Sequence, residues 1–125
     1  MSGLTLDAGA LIALERGDRA MALLMKRARD LDANVALPAG ALGQAWRDGR
    51  RQVVLARLVA AEGVEIVPLD GRAAREAGQL CGVTRTRDVI DASVVLCARA
   101  RGHAIATSDP DDLARLDPDI ALVSV

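Results

Sequence analysis

Five aspartates decide what chemistry this 125-residue chain could carry. Asp7 closes the apolar triplet LTL, Asp88 and Asp91 stand at the front of DVIDASVVLCARARG, and Asp109 and Asp112 follow HAIAT in the stretch SDPDDL. Acids stay out of apolar surroundings unless something offsets their charge. Carboxylates gathered together repel one another, and each raises the pKa of the next. A divalent cation removes that conflict. A ligand set of oxygens with no histidine or cysteine favours Mg²⁺ or Mn²⁺ over Zn²⁺. Such an ion activates water and steadies the charge that develops on a phosphodiester.

The elements that must position these acids follow from the hydrophobic pattern. Short apolar strands alternate with longer helical stretches, which predicts a parallel sheet covered by helices on both sides, a three-layer α/β domain. We expect strands at Leu4–Leu6, Asn34–Leu37, Val64–Leu69, Ala104–Thr107 and Ile120–Val123. Helices are expected from Ala10, over Arg19–Leu31, from Pro38 to Trp46, and over Gln52–Ala61, Arg72–Cys81, Asp88–Arg101 and Pro110–Leu116. No repeat, low-complexity tract or linker interrupts this order, so residues 1–125 are expected to form one domain. In open parallel sheets ligands bind at the carboxyl ends of the strands. Asp7 and Asp109 stand at two such ends, and Asp91 lies in the helix leading to the fourth strand. If the first and fourth strands are neighbours, the three carboxylates converge.

Capping offers a plainer account of some of these acids. Asp109, followed by Pro110 and Asp112, has the pattern of a helix N-cap with an acid in the first turn. Asp88 suits the positive end of a helix dipole. With Thr86 as cap, Asp91 falls at the fifth helical position, beyond the reach of capping, on a helix apolar nearly all round. Its structural alternative is an ion pair with Arg87 four residues earlier, in the poorer helical orientation.

Taken in order, LTLDAGALIAL, ALPAGALGQAWRDG, RDVIDASVVLCAR and AIATSDPDDL resemble the PIN-domain ribonucleases, above all the VapC-type toxins of bacterial toxin–antitoxin pairs. The likeness spans nearly the whole chain. It implies a PIN fold, a divalent-metal-dependent endoribonuclease, a homodimer, an RNA substrate and a small cognate antitoxin. It maps the metal-binding and catalytic acids onto Asp7, Asp91 and Asp109, with Asp88 and Asp112 in support. Thr107 and Ser108 match the hydroxyl-bearing residues before the last acid. One position departs: where PIN nucleases commonly carry a glutamate after the second strand, this chain has Gln44. The amide leaves the site one formal charge short, unless Asp88 or Asp112 supplies it. The alternative is therefore a PIN-fold RNA- or protein-binding module with weak or no nuclease activity.

Composition excludes several other classes. His103 is the only histidine, and Cys81 and Cys97 form no CxxC pair, so a zinc site or a two-imidazole mechanism is not expected. The net charge of −1 argues against holding nucleic acid by global charge, and Trp46 as the sole aromatic argues against a base-stacking sheet. No phosphate-cradling GxxxxGK[ST] or GxGxxG occurs. A receiver domain needs a strand-end lysine, whereas the only lysine, Lys26, falls in a helical stretch; a haloacid-dehalogenase phosphatase needs a second acid two residues after the first, where Gly9 stands. Neither a secretion signal nor a membrane span is evident, which sets the expectation of a cytoplasmic protein. Arg47, Arg50, Arg51, Arg85 and Arg87 remain candidates for RNA phosphate contacts, against the default of a solvated face. Exposed apolar residues among Leu11–Met25 are the expected surface for a partner.

Overall fold

The computed structural model describes residues 2–125. Its strands are β1 (Gly3–Leu6), β2 (Asn34–Pro38), β3 (Val64–Val67), β4 (Ala104–Thr107) and β5 (Leu122–Ser124). Its helices are α1 (Ala8–Glu15), α2 (Arg19–Asp30), α3 (Ala39–Ala45), α4 (Val53–Val59), α5 (Gly71–Thr84), α6 (Val89–Arg101) and α7 (Pro110–Leu116). The alternation read from the sequence holds throughout. All strand pairs are parallel, in the order β3-β2-β1-β4-β5. The chain winds outward from β1 to β3, crosses back, and continues on the other side of β1. The strand order thus reverses between β1 and β4, which is where an open α/β sheet leaves a crevice at its carboxyl edge.

Alternate residues of β1 serve opposite faces of the sheet. Leu4 and Leu6 enter one apolar cluster with Val35, Leu37, Leu11, Met21 and Leu55, from helices α1, α2 and α4. On the other face Ile105 packs with Ala77, Val94, Val95 and Leu113, from α5, α6 and α7. Thr5, between the two leucines, is fully buried; its hydroxyl lies 3.2 Å from His103 Nδ1 and 3.9 Å from Cys97 Sγ. The single histidine is thus satisfied inside the fold. Burial lowers its pKa below the ordinary value.

Local chemistry sets the helix ends. Asp18 and Asp70 accept hydrogen bonds from the N–H groups of Met21 and Ala73, at 2.9 Å in both cases. Gly102 closes α6 in the left-handed conformation at φ +67°, which costs glycine nothing. Helix α4 borrows its cap: Glu15 Oε2 accepts from Leu55 N at 3.0 Å, while Gln52 is occupied by the N–H groups of Arg47 and Asp48.

Five expectations need correction. Strand β3 ends at Val67, two residues short of the expected Leu69. Pro38 is the last residue of β2, paired with Val67, and α3 begins after it. Helix α5 continues to Thr84, one turn past Cys81. The final strand lies at Leu122–Ser124, two residues later than expected at its start. The apolar residues of Leu11–Met25 do not form an open surface, since Leu11 and Met21 are fully buried and Leu14 nearly so; Leu23 is the large apolar side chain of that segment that stands exposed. Among the described residues, no helix is long and apolar enough to cross a membrane.

Leu6 is fully buried on the central strand, so Leu6→Ala should lower the unfolding free energy by about 3 kcal/mol through lost apolar contact and the cavity left behind. Urea denaturation checks this: a fall in midpoint at unchanged slope is expected.

Candidate active site

The site grows from the pairing of β1 with β4, in which Leu6 lies beside Ala106. Each chain then leaves the sheet at the same edge, carrying Asp7 from one strand and Thr107, Ser108 and Asp109 from the other. Asp7 is only 4 % exposed. It is also the N-cap of α1, its Oδ1 accepting from Ala10 N at 2.8 Å. That capping role was not anticipated, although an aspartate between a strand and a helical run is a recognisable signal for it. Thr107, fully buried, stands between the two acids: its hydroxyl accepts from Asp109 N at 2.9 Å, and its nearness favours the charged form of Asp7.

Asp91 enters from α6. The cap of that helix is Asp88 and not Thr86: Asp88 Oδ1 accepts from Asp91 N at 2.9 Å. Asp91 therefore sits in the first turn, and not beyond it as expected. No ion pair joins it to Arg87 among the described residues, so the structural alternative for Asp91 is absent. Capping also fails to explain Asp109. It stands at the cap position of α7, yet its side chain makes no cap hydrogen bond. Asp109 is exposed.

Electrostatics show how closely these acids are crowded. Burial raises the pKa of Asp7, against the lowering effect of its bonds from Thr107 and Ala10, and the charge of Asp109 raises it further. Asp91 is pushed from 3.8 to about 7, first by burial and then by the charges of Asp88, Asp7 and Asp112. Among the described residues, no three acid, histidine or cysteine side chains stand close enough together to hold one ion.

Other candidates lie farther out. Gln44 is exposed on α3, and no hydrogen bond ties it to any of the five acids. Arg47 donates to the carbonyls of Gly43 and Trp46, and Arg50 and Arg51 approach Asp48 at 3.7 and 3.9 Å. Those three arginines brace the turn after α3. Asp112 is exposed in the first turn of α7, where Arg115 approaches it at 3.7 Å. Ser108 is exposed, its side chain against Gly9, where a side chain of any size would collide with it.

The chain belongs to the PIN domain family, whose model matches residues 4–118. Solved structures carry the same fold. FitAcB from Neisseria gonorrhoeae is 17 % identical with a TM-score of 0.67, over 97 % of this chain and 96 % of its own. VapC20 from Mycobacterium tuberculosis, described as a toxin that cleaves the sarcin–ricin loop, is 19 % identical with a TM-score of 0.67, over 98 % of both chains. FitAB bound to an IR36 DNA fragment is 16 % identical with a TM-score of 0.66, over 97 % of this chain and 94 % of its own. No functionally curated protein matches in sequence.

The raised pKa of Asp91 has a testable consequence for the metal-free protein. The folded state keeps a proton on Asp91 up to about pH 7, whereas the unfolded chain releases it near 3.8. This contribution to stability is full below the unfolded value and is lost as pH rises through the folded one. Urea midpoints in EDTA should therefore fall between pH 4 and pH 8. In Asp91→Asn that decline should be shallower and the protein more stable than wild type at pH 8; an equally steep decline would place the titrating group elsewhere.

Proposed function

We propose that this chain is a divalent-metal-dependent endoribonuclease, the toxin of a toxin–antitoxin pair, built as a single PIN domain over residues 1–125 and acting in the cytoplasm on RNA. One observation carries the reading. Asp7, Asp91 and Asp109 come to the edge where the strand order reverses, and among the described residues no cationic side chain offsets Asp7 or Asp91. A fold gains no stability from such crowding, so it is explained by something that binds there.

The donor set fits Mg²⁺ or Mn²⁺, since it offers hard carboxylate oxygens and neither histidine nor cysteine. Asp7, Asp91 and Asp109 would hold the ion, with Asp88 and Asp112 adding negative charge at the rim. When bound, a divalent cation supplies Lewis-acid stabilisation of a phosphodiester and eases the formation of a nucleophile from water. The chain's own part is positioning. The cap bond from Ala10 N fixes the Asp7 carboxylate, Thr107 holds the backbone at Asp109, and the cap of α6 holds the backbone at Asp91. One neighbour in fold, described as a toxin that cleaves the sarcin–ricin loop, supports the reading. A homodimer and a small antitoxin partner are part of the same proposal.

Incubation of the purified chain with single-stranded RNA in Mn²⁺ or Mg²⁺ should yield cleavage that EDTA stops. Asp7→Asn and Asp91→Asn should abolish it, with Asn at position 7 still able to cap α1. Cleavage that persists unchanged in EDTA would overturn the metal role.

Gln44 separates the nuclease from a PIN-fold binding module with weak or no activity. Gln44→Glu should tighten Mn²⁺ binding and raise cleavage, because hard cations respond to ligand charge, and should lower metal-free stability by adding one more anion. Calorimetric titration reads the affinity. Equal Mn²⁺ affinities would mean that Gln44 lies outside the ligand set.

A further inference from the structure

An edge of the sheet that carries Asp7, Asp91 and Asp109 repels an RNA strand while it attracts a cation. A polyanionic substrate therefore needs positive charge at the rim, placed where the strand enters. The turn between α5 and α6 supplies it. Thr84-Arg85-Thr86-Arg87 runs directly into Asp88, whose carboxylate caps the helix that bears Asp91. The turn is pinned from inside. Thr84 Oγ1 donates to Leu80 O at 2.8 Å, the Thr84 and Thr86 hydroxyls lie 3.0 Å apart, and Thr86 N donates to Cys81 O at 3.0 Å. The alternating residues, Arg85 and Arg87, are exposed.

Two further observations bear on these arginines. Arg50, Arg51, Arg72, Arg99, Arg101 and Arg115 all pair with acids of the chain. Among the described residues Arg85 and Arg87 make no side-chain hydrogen bond or ion pair; Arg16, Arg19, Arg27, Arg29 and Arg57 share that state, but only Arg85 and Arg87 lie in the turn that leads into Asp88, the cap of α6. Arg85 also closes α5 in the left-handed conformation, φ +57° and ψ +41°. Asp32 is the other non-glycine residue at positive φ, and aspartate tolerates that region. Arginine does not, and glycine would serve the helix end better. Strain of this kind persists where the side chain has work to do.

We propose that Arg85 and Arg87 grip the phosphodiester backbone of single-stranded RNA at the rim of the acidic cleft. The proposal rests on the nuclease reading and names the residues that bind its substrate. A guanidinium fork matches phosphate oxygens in pairs, and the pinned turn fixes the backbone from which both side chains extend.

Fluorescence anisotropy of a fluorescein-labelled, unstructured single-stranded RNA tests this, using the full chain in Mg²⁺ with Asp7→Asn to prevent turnover. Arg85→Ala combined with Arg87→Ala should weaken binding about tenfold and lower the slope of log affinity against log salt by about 1.4, as expected for two phosphate contacts on a single strand. The control removes the same charge from α2, where Arg19 and Arg27 are exposed: Arg19→Ala with Arg27→Ala should change affinity less than about twofold. Equal losses in both pairs, an unaffected affinity in the first, or no binding by any variant would overturn the proposal. Arg85→Gly gives a second reading, with opposite signs expected: melting temperature up by about 4 °C as strain is relieved, and RNA binding weaker. Binding equal to that of Arg85 would remove this residue from the grip. Cleavage is scored separately on the Asp7-containing chain. Loss of binding in the double variant of a chain that never cleaves RNA would sink the nuclease and keep the grip. Metal-dependent cleavage with binding untouched would do the reverse.

Discussion

The parallel pairing of β1 with β4 brings like charges to one edge of the sheet, and the rest of that edge is arranged around their repulsion. Leu6 beside Ala106 commits Asp7 and Asp109 to neighbouring exits, whatever the cost of the encounter. Thr107 answers part of it by accepting from the Asp109 backbone, and the α1 terminus answers another part by accepting Asp7 as its cap. Asp91 has no comparable relief. Its carboxyl, half-buried and faced by three other acids, keeps its proton to about pH 7. Sheet order, helix capping and protonation are thus settled together, and changing any one of them disturbs the others.

The opposite edge of the sheet is arranged on different terms. There Thr5, His103 and Cys97 form a buried polar chain, and Arg101 holds Glu65 through two hydrogen bonds of 3.0 and 3.1 Å. Charges at that edge are matched in pairs, and the titrating histidine is held below its ordinary range. The two ends of one five-stranded sheet therefore differ in kind. One is internally compensated; the other is left with an excess of negative charge.

Much of this was legible in the sequence, because strand and helix periods are local properties. The order of all the elements, and the limits of β4 and α7, follow from apolar spacing and from Pro110. What escaped depends on competition between neighbours. Thr86 and Asp88 are both capable caps, and Thr86 loses because α5 runs on to Thr84, whose hydroxyl engages it. Pro38 suits a first helical turn, yet the pairing of β2 with β3 extends through it. The stripe holding Leu11 and Met21 is apolar in either of two settings, against the sheet or against a partner. A pattern of side chains along one helix cannot say which. The convergence of the acids was conditional on β1 meeting β4, a contact a hundred residues apart that no local pattern encodes.

That same contact bears on how the protein is made. β1 leaves the ribosome about a hundred residues before β4, yet β1 is the central strand and β4 its neighbour. Contacts of such long range form late, because the intervening loop must be closed before they repay its entropy. A nascent chain that ends before Ala104 contains Asp7 and Asp91 but neither the strand that orients Asp7 nor Asp109. Partial translation products are therefore incomplete at the cleft, and its assembly coincides with closure of the sheet.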